Sequence, residues 1–226
     1  MNAIVEASAL VKRFGSGPRA VTAVTGVSLA IAAGDFAVLA GPSGCGKTTL
    51  LNLIGGLERP DGGCVAVEGV RLESLDPRAL ARLRLERIGF VFQAANLIPV
   101  LTAIENAEFT LQVRGMARAE RRSRLGAIFE RLGIAGLESR FPGEMSGGEQ
   151  QRVAVARALA GDPAIVLADE PTANLDSAAA GALLDLLSAL NRERGVTLLV
   201  ASHDPVVIDR AVRVIGMRDG RIASDA

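Results

Sequence analysis

The chain has 226 residues, of which 49% are apolar, and its 25 basic residues balance 25 acidic ones. This length allows one or two domains with a large core, and the zero net charge gives no composition argument for nucleic acid as a partner. Cys45 and Cys64 suit neither a disulfide framework nor a zinc site, so we expect a protein of the reducing cytoplasm.

The N-terminal segment predicts two β-strands. Residues 3–11 and 21–32 are rich in Val, Ile, Ala and Thr, and a loop at residues 15–18 separates them. Phe14 lies at this loop, where its ring could belong to the core or stack on a ligand, and position alone leaves both open. The first residues lack the pattern of a signal peptide, and no apolar run approaches the roughly 18 residues of a membrane span.

A phosphate-binding loop is predicted directly after a short buried strand. Residues 41–48 match G-x-x-x-x-G-K-[ST] between a strand that ends at Ala40 and a helix. In such a loop backbone N–H groups face phosphate oxygens, Lys47 reaches the outer phosphates, and the Thr48 hydroxyl can hold Mg²⁺. Lysine is rare in this arginine-rich chain, which favours a site that needs a compact charge. The predicted nucleotide-binding residues of the loop are Gly41, Pro42, Ser43, Gly44, Cys45, Gly46, Lys47, Thr48 and Thr49.

Strands and helices alternate between this loop and residue 93. Residues 62–69 predict a strand, Asp76 and Pro77 begin a helix, and residues 88–92 predict a buried strand. Gln93 follows that strand. An amide in this position can bind Mg²⁺ or the attacking water, although an ordinary loop glutamine is the commoner case.

Residues 96–140 predict helices only. Thr102 and Glu105 form a capping box at the start of one helix, and an apolar stripe follows on another. A group of arginines on this insert, interleaved with an acidic residue, predicts a solvated face. Its members are Arg118, Arg121, Arg122 and Arg124.

The next predicted helix begins with two glycines. Ser146 is suited to cap the N-terminus of this helix, and Glu149 completes a capping box. On this interpretation both residues have a structural role only. Gly147 and Gly148 are unfavourable, however, since glycine costs about 1 kcal/mol relative to alanine inside a helix. Exposed backbone at a helix N-terminus is useful where an anion must approach closely, so we expect this segment to contact phosphate.

Two later strands precede polar side chains that can carry chemistry. One apolar strand ends in Asp169 and Glu170, and two carboxylates in that position require partners. Mg²⁺ suits Asp169, which leaves Glu170 free for proton transfer from a water. His203, the only histidine, follows another buried strand at the edge where α/β sheets bind ligands. Between these strands, Asp176 is suited to cap a helix.

In this order the motifs resemble those of the nucleotide-binding subunits of ATP-binding cassette (ABC) transporters, over essentially the whole chain. The resemblance implies an α/β fold with a P-loop ATPase core, an N-terminal antiparallel β subdomain and an all-helical insert. It implies a single ABC ATPase domain over residues 1–226. Within it, the core and β subdomain occupy residues 1–93 and 146–226, and the helical subdomain occupies residues 94–145.

The same resemblance implies roles for individual residues, with ATP and Mg²⁺ as cofactors. Two cassettes of this family close head to tail on two ATP molecules, so the signature segment of one, residues 146–150, faces the γ-phosphate held by the other. Glu170 would be the catalytic base, His203 would contact the γ-phosphate, and Gln93 would complete the catalytic group. The implied metal ligands are Thr48, Gln93 and Asp169. The implied ATP-binding residues outside the phosphate loop are Phe14, Ser146, Gly147, Gly148, Glu149 and Asp176.

The resemblance also implies partners and a location. ATP binding would draw two cassettes together, expected to be copies of this chain with nucleotides at their interface. Hydrolysis would release them and pass force to integral membrane permease subunits through the region from Gln93 to Pro99. The protein would therefore lie on the cytoplasmic face of the inner membrane. Residues 92–102 and 168–172 are similar to the lipoprotein-release and macrolide-export branch of the family.

One position departs from the family pattern. Phe14 stands where many members have a tyrosine that stacks on adenine, and a phenyl ring can still stack.

Three other functions compete with transport. A regulatory cassette of the cell-division type would use the same ATP cycle. A chromosome-maintenance or DNA-repair ATPase would carry a long coiled coil between Thr48 and Ser146, where no sustained heptads occur. A nucleoside kinase would have no use for the signature segment.

Overall fold

Strands and helices alternate along residues 3–226, the part of the chain that the computed structural model describes. The strands are β1 (Ala3–Phe14), β2 (Val21–Ala32), β3 (Phe36–Ala40), β4 (Gly62–Val67), β5 (Val70–Arg71), β6 (Ile88–Val91), β7 (Ile165–Asp169), β8 (Thr197–Ser202), β9 (Arg213–Arg218) and β10 (Arg221–Asp225). The helices are α1 (Lys47–Ile54), α2 (Pro77–Arg87), α3 (Ala103–Val113), α4 (Arg118–Arg131), α5 (Gly147–Leu159), α6 (Ser177–Arg194) and α7 (Pro205–Ile208). Within these residues, no helix combines the length and apolar character needed to cross a bilayer.

The strands form two sheets of different kinds. The first is antiparallel with the strand order β2-β1-β4-β5. The second has the order β10-β9-β3-β8-β7-β6, in which β10 is antiparallel to β9 and the other neighbouring pairs are parallel. The predicted α/β fold with an N-terminal antiparallel β subdomain is therefore confirmed. Parallel pairing also directs the carboxyl ends of β3, β8, β7 and β6 to one edge of the sheet.

The parallel sheet is covered on both faces, which explains its continuous apolar strands. Successive side chains of a strand point to opposite faces. In β3, Ala37 and Leu39 accordingly belong to a core shared with α1 and the antiparallel sheet. Phe36 and Val38 belong to a second core, shared with α5, α6 and the helical insert. The sheet is thus held rigidly between two layers, and its edge can position loops accurately.

The predicted all-helical insert is present as α3 and α4, followed by a 3₁₀ turn at Pro142–Glu144. The Thr102 and Glu105 capping box begins α3 as predicted. The prediction of a solvated arginine face is wrong for Arg121, whose side chain is largely buried and pairs with buried Glu108 at 3.2 Å. Arg122 joins the same carboxylate at 3.3 Å. Spacing along α4 could not reveal an acidic partner on α3.

Candidate functional site

Four loops meet at the carboxyl edge of the parallel sheet. The phosphate loop follows β3, Gln93 follows β6, Glu170 follows β7, and His203 follows β8. Because β3, β8, β7 and β6 are neighbours in that order, these loops lie side by side and line one cavity of about 290 Å³. The structure therefore brings together Lys47, Thr48 and three residues that are distant in sequence.

The phosphate loop forms one wall of this cavity. Lys47 is only 6% exposed, and its Nζ donates to the carbonyl oxygens of Gly41 at 2.7 Å and Pro42 at 3.2 Å. Lys47 is also the first residue of α1, whose first N–H groups have no partner within the helix. A buried ammonium group next to a helix N-terminus attracts a polyanion. Other predicted loop residues line the cavity as well, namely Ser43, Gly44, Gly46 and Thr49.

Gly46 is a loop position at which the fold itself requires glycine. Its φ of +105° lies in the left-handed region, which side chains rarely adopt. A Cβ atom there would lie 2.2 Å from the carbonyl oxygen of Ala23 in β2. The close contact between this loop and β2 therefore holds the N-terminus of α1 at the cavity. Cys45, the neighbouring predicted residue, is buried.

Asp169 and Thr48 form a pair of oxygen donors. Asp169 ends β7, and its Oδ1 atom is buried without a hydrogen-bond partner among the described residues. Burial raises the pKa of Asp169 because it desolvates the charged form, and a hydrogen bond from Thr48 opposes that shift. An unsatisfied buried carboxylate oxygen beside a hydroxyl suits Mg²⁺, whose other ligands are commonly waters and phosphate oxygens. The residues present therefore fit this ion.

The side chains of the described residues supply only part of a magnesium coordination shell. In residues 3–226 no group of three His, Cys, Asp or Glu side chains is arranged to hold a metal ion. Thr48, Asp169 and the nearby amide of Gln93 are too few ligands for a hexacoordinate ion.

Glu170 is held at the cavity by three side chains. Its Oε1 accepts a hydrogen bond from Nδ1 of His203 at 2.8 Å, and its Oε2 accepts one from the Ser202 hydroxyl at 3.2 Å. Lys47 Nζ lies 3.7 Å from Oε1. The backbone of Glu170 has a φ of +45°, an uncommon conformation that costs about 1–3 kcal/mol for a residue other than glycine. A carboxylate held this firmly at a cavity that Lys47 also lines can accept a proton from a molecule bound there.

The signature segment lies outside the lining of this cavity. Ser146 caps α5 by accepting a hydrogen bond from the Glu149 N–H, and the Glu149 carboxylate accepts one from the Ser146 N–H at 2.7 Å. Gly147 is exposed, and a Cβ atom on it would meet nothing closer than the Asn174 carbonyl oxygen at 3.5 Å. Packing within one chain therefore gives no reason for glycine at this position, in contrast to Gly46. Gly148 likewise has room for a Cβ atom, at ordinary contact distance from its neighbours.

Two further predicted residues also lie outside the cavity lining. The Asp176 side chain caps α6 by accepting a hydrogen bond from the Ala179 N–H at 2.8 Å. Phe14 ends β1 and is 42% exposed, so it is not a core residue, and Lys12 Nζ lies 5.3 Å from the centre of its ring. One face of that ring therefore carries a cation–π contact. The ATP contacts implied for Asp176 and Phe14 stay predictions.

Sequence reasoning missed several side chains that support the site. Ser202 holds Glu170 but is only one of many serines in the sequence, and its position before His203 was the sole clue. Ala23 and Ala173 line the cavity without a chemical signature. Gln151 and Arg157 of α5 bind backbone carbonyls of the loop that contains Gln93, and no local sequence pattern could have revealed this contact.

Comparison with known proteins agrees with this geometry. The family profile described as ABC transporter matches residues 24–173. The chain is 46% identical over 222 residues to the lipoprotein-releasing system ATP-binding protein LolD of Anaeromyxobacter dehalogenans, and the match covers 98% of the chain and 93% of that relative. It is 45% identical over 223 residues to the macrolide export ATP-binding/permease protein MacB of Hyphomonas neptunium, with 99% of the chain covered. The chain spans only 34% of the length of that MacB protein.

Solved structures show the same fold. A dimeric structure of a post-hydrolysis state of the ATP-binding cassette MJ0796 bound to ADP and Pi aligns with a TM-score of 0.91 and 39% identity. The alignment covers 98% of this chain and 97% of that one. CbiO1 from Clostridium perfringens, described as part of the ABC transporter complex cbiONQ, aligns with a TM-score of 0.89 and 26% identity, covering 100% of this chain and 89% of that one.

Proposed function

Since the chain belongs to the ABC transporter family, we propose that it is the ATP-binding and ATP-hydrolysing subunit of a transport complex. One observation carries this proposal, namely the cavity in which the phosphate loop meets Gln93, Glu170 and His203. Hydrolysis of ATP needs positioning of the phosphates, neutralisation of their charge and an acceptor for a proton from water. The side chains around this cavity supply each of these functions.

Each residue has a defined task in this proposal. Lys47 binds the outer phosphate oxygens as a point charge, and the first turn of α1 adds its N–H groups. Thr48 and Asp169, together with Gln93, would hold Mg²⁺, which would neutralise charge on the β- and γ-phosphates when bound. Glu170 orients the attacking water and accepts its proton, while His203 contacts the γ-phosphate and holds Oε1 of Glu170.

We further propose that the site is completed by a second copy of the chain. The signature segment does not line the phosphate cavity of its own chain, and no contact among residues 3–226 requires glycine at residue 147. Both features are consistent with a segment whose ligand is the nucleotide held by a partner. The dimeric state of the solved MJ0796 cassette supports this proposal by similarity.

The proposed membrane partner contacts the segment from Gln93 to Pro99. Gln93 lines the cavity, and the following residues lead into the helical insert, so one segment adjoins both the nucleotide site and the region proposed as the helical subdomain, residues 94–145. Separate permease subunits would then hold this chain on the cytoplasmic face of the inner membrane. The names of the LolD and MacB relatives favour lipoprotein release or macrolide export over the regulatory alternative.

Dilution tests the proposal most directly. ATP hydrolysis by the purified chain with Mg²⁺ should rise per subunit as the protein concentration rises, and then reach a plateau, because two subunits form the active unit. Lys47→Ala is the control and should abolish nucleotide binding. A rate per subunit that does not depend on dilution would contradict the shared site. Failure of the wild-type chain to bind or hydrolyse ATP at any concentration would contradict the ATPase assignment itself.

A further inference from the structure

Side chains of α5 hold the loop that follows β6. This loop, residues 92–96, is called the Gln93 loop. Arg157 donates one hydrogen bond to the carbonyl oxygen of Asn96 and one to that of Ala95, each at 2.8 Å. Gln151, earlier on the same helix, donates to the carbonyl oxygen of Phe92 at 3.0 Å. Both ends of the Gln93 loop are therefore bound to α5.

The carbonyl oxygen of Gln93 itself is also occupied. Asn174 Nδ2 donates a hydrogen bond to it at 3.0 Å. Asn174 lies between Glu170 and the start of α6, so this contact joins the Gln93 loop to the segment after the proposed base. The main chain that carries the Gln93 side chain is thus held from two directions.

The contact of Arg157 with the Gln93 loop requires partial desolvation of a charged group, which costs free energy. Burial lowers the pKa of Arg157 by desolvating the guanidinium group, and no nearby carboxylate offsets that effect. Its observed hydrogen-bond acceptors are the two carbonyl oxygens of the Gln93 loop. A partly buried cation without a counter-charge is less favourable than a neutral amide, which could hold one carbonyl at lower cost. The rigid guanidinium fork, however, fixes the relative positions of two acceptors at once.

The other end of α5 carries the signature segment. Ser146 caps this helix and Gly147 is its first residue, so a single helix of 13 residues connects the segment to Arg157. At about 1.5 Å per residue, roughly 15 Å of continuous helix separates Gly147 from Arg157. Among the described residues, no hydrogen bond joins α5 to the phosphate loop itself.

From these contacts we propose that Arg157 is a positioning residue for Gln93, which makes the position of the Gln93 loop depend on that of the signature helix α5. This inference rests on the proposed function, in which Gln93 belongs to the ATP site. Movement of the signature segment, on engaging a partner-bound nucleotide, would therefore move Gln93 in its own site. ATP binding at Lys47 would not depend on Arg157, whereas the hydrolytic step would.

The test compares Arg157→Met with a matched arginine variant in the full chain. Arg157→Met keeps most of the side-chain volume but donates no hydrogen bond. We expect kcat to fall about tenfold or more because the catalytic group is misplaced, with KM for ATP changed by less than about twofold. Arg157→Lys, which can still donate to one carbonyl, should restore part of kcat. In nucleotide-free protein, amide hydrogen exchange at residues 93–97 should be faster in Arg157→Met than in wild type.

Arg114→Met is the matched control. Arg114 is also a partly buried arginine with a pKa lowered by burial, and it donates to the main-chain carbonyls of Leu85 and Gly161 instead of the Gln93 loop. Loss of the Arg114 guanidinium group should change the free energy of unfolding without changing kcat or amide hydrogen exchange at residues 93–97.

Three results would overturn the inference. These are an unchanged kcat in folded Arg157→Met, an equal loss of kcat in Arg114→Met, or a rise in KM that accounts for the whole loss of activity. If Arg157→Met does not fold, wild-type kcat and exchange in Arg157→Lys would overturn it equally. Absence of ATP hydrolysis by the wild type would instead contradict the proposed function, and the exchange measurement would still decide whether Arg157 restrains the loop.

Discussion

Replacing Glu170 with glutamine removes the proposed base with little other change. The substitution keeps the shape of the side chain, and the amide oxygen can still accept the hydrogen bond from the Ser202 hydroxyl. The amide NH2 group then faces Nδ1 of His203 and can donate to it in the tautomer that leaves Nδ1 unprotonated. Backbone strain at φ +45° is the same for both residues, because neither has a branched Cβ. Lys47 keeps its two carbonyl acceptors, so we expect the free energy of unfolding to change by only about 1 kcal/mol.

The effect on catalysis should be much larger. A positioned general base contributes about 10²–10⁴-fold to a rate. Loss of Glu170 should therefore lower kcat by a factor in this range, which corresponds to about 3–5 kcal/mol in the activation barrier. Nucleotide binding should persist or become tighter, since a negative charge that lies 3.7 Å from Lys47 is removed from a site that binds a polyanion.

Two measurements check this prediction. Phosphate release gives kcat, and size-exclusion chromatography with Mg·ATP should show a stable dimer, because the nucleotide that joins the subunits is no longer consumed. Glu130→Gln, an exposed substitution on α4, is the control for loss of a carboxylate and should behave as wild type. Unchanged hydrolysis by Glu170→Gln would refute the assignment of Glu170 as the base.

Three further substitutions test the signature segment and the ion pair between α3 and α4. Ser146→Arg places a bulky cation at the exposed start of α5, so it should abolish ATP-dependent dimerisation in sedimentation experiments while the monomer still binds a fluorescent ATP analogue. Gly147→Ala should raise the free energy of unfolding by up to about 1 kcal/mol, since the helix has room for the Cβ atom, yet it should lower ATP hydrolysis at the plateau concentration. Glu108→Ala leaves buried Arg121 unpaired and should lower the free energy of unfolding in urea by about 3 kcal/mol.

Each of these variants has an outcome that would contradict its reasoning. Loss of nucleotide binding by the Ser146→Arg monomer would show that the signature segment does not act across subunits. Wild-type hydrolysis by Gly147→Ala would remove the functional reason for glycine there. Wild-type stability of Glu108→Ala, matching that of the exposed control Glu120→Ala, would show that the α3–α4 ion pair contributes nothing.

The local features of this protein could be predicted because neighbouring residues determine them. The phosphate loop depends on glycines and a lysine at fixed spacing within one turn, and the capping boxes at Thr102 and Ser146 need only side chains three residues apart. Alternating apolar runs likewise predicted the strands and helices. The order of motifs was specific enough to indicate the family.

Distant contacts could not be read from such patterns. Arg121 meets Glu108 across two helices, and Arg157 reaches the Gln93 loop from a helix more than 50 residues later in the chain. In each case the partner is chosen by packing, and packing depends on side chains from elements that no local spacing relates.

The sequence by itself therefore predicted which groups would bind phosphate, hold Mg²⁺ or accept a proton. Only the tertiary structure decided that four of them lie together, because the strand order β3-β8-β7-β6 places Lys47, His203, Glu170 and Gln93 around one cavity. That order is set by long-range pairing of strands in a sheet buried on both faces. The same packing leaves the signature segment outside the cavity of its own chain.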